Sequence, residues 1–312
     1  MYSEVVVVGQ IARDLVIEVS DAPPADGSAP VRHRQELLGG KGANQAVALS
    51  QLGVSVSLVG VVGQDRTGDT LRAQARADRI GTSHLVRRAG TETALIVDVV
   101  DDQGRRRYLE HIPEATLLTE TDVLAASAPL SAAGSVIVQL QQPAPAALLA
   151  ARLAHTAGTR VVLDGAPQDE AFTPGLLALA DVVRADGHEA ELLTGQPVED
   201  VAAAARAAAD LRRRGPSLVV LEVAGQGNLF AGPEGSWFVP HVETEVVDPT
   251  GAGDALVATL TAALTRRRPL ETAACLAVAA AAATTEHAGG RPRLSRPDLD
   301  RLQPRRLELV HA

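Results

Sequence analysis

The chain predicts a doubly wound α/β fold with a mostly parallel sheet and helices on both faces. Three observations carry this. Short β-branched runs bounded by turn residues recur along the sequence; alanine-rich stretches of helical length separate them; and the strand candidates are apolar throughout instead of alternating, as strands covered on both faces are. In order, the strands are expected at residues 5–8, 56–61, 135–138, 161–163, 181–183 and 218–221. The helices between and after them are expected at 41–52, 68–78, 144–157, 188–193, 199–214, 254–265 and 270–286. In such a sheet, ligands collect at the C-terminal ends of the strands. Two segments break the alternation. Residues 12–38 hold an apolar run at 15–19, a Pro/Asp/Gly turn at 21–30 and a second run at 31–38; residues 90–111 hold runs at 93–100 and 105–110 around the turn Asp101-Asp102-Gln103-Gly104, a hairpin signal. Together they predict a small antiparallel β lid over the site. With no internal repeat and no linker, residues 1–312 read as a single α/β domain, and the tail after Arg291 as a final helix plus a loose end.

Composition bounds the function. Aromatics make up 2% of the 312 residues, so the core must be Val, Leu, Ile and Ala. A net charge of −9 argues against a general nucleic-acid or membrane-surface binder, and leaves an anionic substrate to be held by local devices such as helix N-termini. Cys275 is the only cysteine, so no intrachain disulfide exists, and its setting TAACLAVAAAAA predicts a buried helix where a thiol simply packs. The opening MYSEVVVVG lacks the basic start of a signal peptide, and the longest apolar run, 273–283, is too short to span a bilayer. A soluble cytoplasmic protein is expected.

The most informative segment is Asp248-Pro249-Thr250-Gly251-Ala252-Gly253-Asp254, which runs straight into an alanine-rich helix. The first N–H groups of a helix lack internal partners, so those of Gly251, Ala252 and Gly253 can face an anion, with Asp254 placed to take a proton from a hydroxyl. An anion hole beside a base is what phosphoryl transfer to an alcohol requires. Alone, the segment reads equally as a strand-to-helix turn whose acid is favoured by the helix dipole.

A second motif, Gly39-Gly40-Lys41-Gly42-Ala43-Asn44-Gln45, precedes another apolar helix, and Lys41 is the only lysine in the chain. Its glycines clear space for a small polar ligand around Lys41 and Asn44. The Gly-x4-Gly-Lys-Ser/Thr spacing of a P-loop is absent. GGKGANQ and DPTGAGD together resemble the ribokinase, or phosphofructokinase-B, family of carbohydrate kinases, and the resemblance runs from VVVVGQIARDLV to the helix beyond Thr285.

The resemblance implies an ATP-dependent sugar kinase acting on ribose or a related pentose or hexose. Asp254 would be the general base; at a helix N-terminus its pKa is expected to be low. The sugar would be held by Asp14, Gly39, Gly40, Lys41 and Asn44. Gln141 stands where ribokinase has a glutamate and Ala12 where it has an asparagine, and both departures leave the sugar open. The family's Asn-x-x-Glu motif reads Asp186-Gly187-His188-Glu189 here: Glu189 would organise Mg²⁺ through water, while Asp186 either binds the ion more directly or repels ATP. The adenosine loop reads Glu222-Val223-Ala224-Gly225-Gln226-Gly227, where Ala224, Gly225 and Gly227 would admit the nucleotide and Glu222 would bind its ribose or mark a weakened site. Val278 would pack on adenine. Carbonyls at Asp248, Thr250, Thr284 and Gly289 would hold K⁺. The lid would exclude water and make a homodimer contact. Two alternatives stand beside this reading: a nucleoside kinase, disfavoured because the lid offers only Tyr108 for base stacking, and a catalytically weak sugar- or nucleotide-binding protein on the same fold.

Overall fold

A computed structural model describes residues 3–304 and 307–310. A ten-stranded sheet forms its centre. The strands Val5–Val8 (β1), Ala12–Val19 (β2), Val31–Gly39 (β3), Val56–Gly63 (β4), Leu85–Arg88 (β5), Leu95–Val100 (β6), Arg106–His111 (β7), Ser135–Gln139 (β8), Arg160–Asp164 (β9), Val182–Ala185 (β10), Leu218–Val223 (β11), Gly227–Gly232 (β12), Gly235–Pro240 (β13) and Glu308–Val310 (β14) divide between two sheets. The large sheet has the order β14-β13-β12-β11-β10-β9-β8-β1-β4-β5. Its strands from β11 through β5 run parallel, and β12, β13 and β14 add an antiparallel edge.

Alternation along β1 shows the double winding. Val5 and Val7 enter one buried cluster with the helices Lys41–Gln51 (α1), Arg66–Ala77 (α2), Ala252–Thr265 and Leu270–Thr285. Val6 and Val8 enter a second cluster with Ala144–Thr156 and Val201–Arg213 on the opposite face. Alanine lets these helices lie close to the sheet and to one another, which offsets the shortage of aromatics in the core. Among the described residues no helix is long and apolar enough to cross a membrane.

The small sheet has the order β3-β2-β6-β7. Its two hairpins are antiparallel, as expected, and they join through β2 and β6, which run parallel. The hairpin β12–β13 had no strong signal: its strands are six residues each, and glycine stands at both ends of β12 and at the start of β13. The tail does hold a helix, Arg296–Arg301, but the expected loose end is in part an edge strand, because β14 pairs with β13. The rest of that end, residues 305–306 and 311–312, lies outside the described residues. Cys275, expected to be buried, is half-buried.

Candidate active site

The site forms where the C-terminal ends of β1, β9 and β10 meet the starts of α1, of Gly187–Thr194 (α3) and of Ala252–Thr265 (α4). The two sequence motifs meet here. A cavity of about 420 Å³ is lined by Lys41, Arg184, Asp186, Glu222, Asn228, the stretch from Gly251 to Asp254 and Val278, among others.

The start of α1 explains the first motif's glycines. A β-carbon at Gly42 would lie 2.7 Å from the Gly9 carbonyl carbon, so this glycine lets the helix abut the end of β1. One at Gly39 would lie 1.9 Å from Oδ2 of Asp14, so that glycine makes room for a carboxylate of the site itself, and the Gly40 N–H donates to Asp14. These glycines therefore serve the protein's own backbone and side chains first. Asp14 is buried and its Oδ1 has no protein partner. Burial, and secondarily the charge of Asp254, push its pKa up to about 7.

At the start of α4, Gly251 takes a left-handed conformation, φ 74°, and no side chain caps the helix. The Ala252 N–H donates to the Pro249 carbonyl at 3.3 Å, which withdraws it from the expected anion hole. The amides of Gly251 and Gly253 donate to no protein acceptor among the described residues.

Asp254 is buried, and two amide groups of the first motif hold its carboxylate. Asn44 Nδ2 donates to Oδ2 at 3.1 Å and Gln45 Nε2 to Oδ1 at 3.2 Å. Gln45 Nε2 also donates to Asp164 Oδ2 at 2.7 Å. Arg184 Nη1 donates to the other Asp164 oxygen at 3.2 Å and lies 3.7 Å from Glu189, whose second oxygen accepts from Lys41 Nζ at 3.2 Å. The expected low pKa of Asp254 is overturned. Burial comes first and the neighbouring Asp164 charge second, and together they raise it to about 7 against the Lys41 charge and the Asn44 hydrogen bond. Burial works against the charge on Lys41, but Glu189, Asp164 and Asp254 outweigh it and hold that pKa above the usual lysine value.

A pH dependence follows. Asp254 accepts a proton only when ionised, so kcat/KM should rise with pH through about 7 and level off above, reporting Asp254 and Asp14 as an interacting pair. The stability term runs the other way. A carboxyl whose folded pKa is raised stabilises the protein below its unfolded value and loses that contribution as pH climbs through the folded one. Thermal melts of the ligand-free protein should show this fall between about pH 4 and 7.

Asp186 and Glu189 cap α3 reciprocally, each side chain accepting from the other's backbone N–H, so the altered first position of the Asn-x-x-Glu motif still works as a cap. Glu222 and Val278 line the cavity; Ala224, Gly225 and Gly227 do not. The loop carrying these three is the tight turn between β11 and β12, where Gly227 pairs with Val223. Gln141 is exposed and does not line the cavity. Gln139, two residues earlier on β8, is fully buried with both side-chain polar atoms unpartnered.

The Asp248 carboxylate joins two loops: Oδ1 accepts from the Thr250 N–H at 2.8 Å and Oδ2 from the Gly289 N–H at 2.5 Å. From lid strand β7, the guanidinium of Arg106 reaches the same carboxylate, Asp98 and the Thr250 hydroxyl, and Tyr108 Oη lies 2.6 Å from that hydroxyl. The Thr284 hydroxyl donates to the Ala280 carbonyl at 2.9 Å. A guanidinium thus stands against the side chain of Asp248, in one of the two loops whose backbone carbonyls were expected to hold K⁺.

Sequence reading missed Gln45, Gln139, Asp164, Arg184 and Arg106. Gln45 sat inside the quoted motif. Asp164 and Arg184 each ended an apolar strand run, where a charged residue is out of place unless it serves a site. Arg106 lay in the run 105–110, one of three consecutive arginines, and gave no separate signal.

The chain matches the profile described as pfkB family carbohydrate kinase over residues 3–296. It is 28% identical to a ribokinase of Haemophilus influenzae across 93% of this chain and 94% of the relative. It is 30% identical to a bifunctional ribokinase/ribose-5-phosphate isomerase A of Fructilactobacillus sanfranciscensis across 84% of this chain, and the match spans 48% of that longer protein. The fold superposes on the Arabidopsis thaliana ribokinase structure complexed with ribose and ATP with a TM-score of 0.80 at 24% identity, covering 97% of this chain and 99% of the other.

Proposed function

The chain belongs to the pfkB family of carbohydrate kinases, and from that we propose that it transfers the γ-phosphate of ATP to a hydroxyl of a small sugar, of the kind ribokinases use, in the cavity between its two motifs. The observation that carries this reading is the meeting of Asp254 with Asn44 and Gln45, across some two hundred residues of sequence. It joins a base to a ligand-facing loop at an uncapped helix start.

In this mechanism the sugar lies beside the cavity, whose lining includes Lys41 but not Asp14, Gly39, Gly40 or Asn44, and the unpartnered oxygens of Asp14 and Asn44 accept its hydroxyl hydrogen bonds. Asp254 takes the proton of the attacking hydroxyl. The Gly251 and Gly253 amides face charge that develops on the phosphoryl oxygens, in a site shielded from bulk water. Among the described residues no group of three or more His, Cys, Asp or Glu is placed to hold a metal ion. That suits Mg²⁺, which keeps waters and binds chiefly through phosphates with one or two carboxylates. Asp186 and Glu189 would hold it, and it would neutralise phosphate charge. Ala224, Gly225 and Gly227 would approach the nucleotide only if the β11–β12 turn moves inward. The lid leaves Val31, Tyr108 and Leu109 exposed, which supports a homodimer through that sheet. A cytoplasmic location accords with ATP as donor.

The test is a panel of pentoses and hexoses with Mg-ATP, read by ADP release and by phosphorus NMR of the product. Phosphorylation of at least one sugar is expected; a panel with no phosphorylated sugar overturns the reading. Because Arg106 supplies the positive charge at Asp248, turnover should differ less than about twofold between K⁺ and Na⁺ buffers, and Arg106→Ala should make it depend on the monovalent cation. Marked K⁺ activation of the unaltered protein would show that a cation displaces the guanidinium.

A further inference from the structure

The chemistry described so far gives Arg184 no role and uses its buried partner Asp164 only through Gln45 and the charge it sets beside Asp254. Each is a charge at the end of an apolar strand, with Arg184 7% and Asp164 1% exposed. We propose that Arg184 is the cation that grips the outermost phosphoryl group of the bound nucleotide, and that Asp164 positions it. This rests on the kinase reading of the same cavity.

The placement of the guanidinium is the main argument. It lies against Gly253 so closely that a β-carbon there would sit 2.5 Å from Nη2 and 2.8 Å from Cζ and Nη1. Gly253 has no left-handed φ to explain it. The missing side chain at 253 therefore serves the arginine, letting it stand beside the free amides of the anion hole. Arg184 also lines the cavity with Lys41 and the residues from Gly251 to Asp254.

Its hydrogen bonding is incomplete in a telling way. Among the described residues, protein acceptors take only Nη1; Nε is buried without a partner and Nη2 makes no hydrogen bond. A guanidinium that merely neutralised Asp164 could engage it with two parallel bonds. This one uses a single bond, and with Nε closed off it leaves Nη2, the nitrogen that is not fully buried, to donate to a phosphate.

Charge balance points the same way. Asp186, Glu222 and Asp254 line the cavity and Glu189 stands behind it, while Lys41 and Arg184 are the cations on its wall. A polyphosphate meets strong repulsion there unless a cation receives its outer end. The relay Arg184–Asp164–Gln45–Asp254 then sets the distance from phosphate to base, because each link is a direct hydrogen bond.

Three variants test this: Arg184→Gln, Arg184→Lys and the double variant Arg184→Gln/Asp164→Asn. The double variant removes the carboxylate that the single glutamine change strands, so folding is retained for the comparison. Calorimetry with Mg²⁺ measures ADP and a non-hydrolysable ATP analogue, and turnover is followed on any sugar the panel identifies. Arg184→Gln and the double variant should lose about tenfold or more in affinity for the ATP analogue while ADP changes less than about threefold, and kcat should fall about a hundredfold. Arg184→Lys should recover part of both. Equal losses for the two nucleotides, or a double variant with normal nucleotide preference and kcat, would assign Arg184 a structural role and overturn the proposal. If the unaltered protein binds neither nucleotide, the kinase reading falls together with it.

Discussion

Asp254→Asn should lower kcat by at least about a hundredfold, leave sugar binding within a few-fold, and raise the melting temperature of the ligand-free protein above pH 7. The first effect follows from removing the group that takes the hydroxyl proton. The third follows from the same burial that makes Asp254 useful: its pKa stands at about 7, so the ionised form is held at a cost in stability, which a neutral amide does not incur. The amide also fits. Oδ1 of Asn44 is buried without a partner, so that side chain can turn its oxygen to accept from the new N–H group, while Gln45 keeps its Nε2 on Asp164. Kinetics and melts on one preparation check the prediction. A slow variant that is also less stable would mean that Asp254 supports the fold more than the reaction, and near-normal turnover would remove it as the base.

The parallel centre of the sheet was legible because Val-rich runs with no polar alternation can hardly be anything else: β1, β8 and β11 begin within a residue of where the apolar pattern begins. Glycine defeated the same reasoning at β12, where pairing with β11 and β13 overrides weak local preference. The motif residues Lys41, Asn44, Gly251 and Asp254 were legible because glycines beside polar groups at a helix start are costly without a purpose. Their supporting charges were harder to see. Arg184 stands out only as a charge closing an apolar run, and its partner shows only once β9 and β10 are paired; Asp254 looks like a helix-dipole carboxylate until its depth is known. Position along the chain cannot report burial, and burial sets the pKa here. The nucleotide loop shows the converse: glycines at 225 and 227 matched a binding pattern, yet hairpin geometry accounts for them as they stand.

Gly251→Ala should cut turnover about a hundredfold or more and destabilise the protein, an effect far larger than its single methyl suggests. Two costs combine. The left-handed backbone at φ 74° disfavours any residue with a β-carbon by roughly 1 kcal/mol. The larger cost is steric, because the new carbon would lie 1.9 Å from the Gly290 carbonyl oxygen, backbone against backbone, with no flexible side chain to yield. The two loops must separate by an ångström or more, and Asp248, bonded to both Thr250 and Gly289, is the staple they would pull apart. The same shift moves the Gly251 and Gly253 amides off the phosphoryl group, and a displacement of about 1 Å in a positioning element is enough for a hundredfold loss. Gly253→Ala supplies the contrast. Its backbone carries no left-handed strain, and its new carbon meets the end of the Arg184 side chain, which can withdraw. Thermal melts should therefore rank Gly251→Ala well below Gly253→Ala in stability, while both lose turnover. Equal stability of the two variants would refute the steric argument for Gly251.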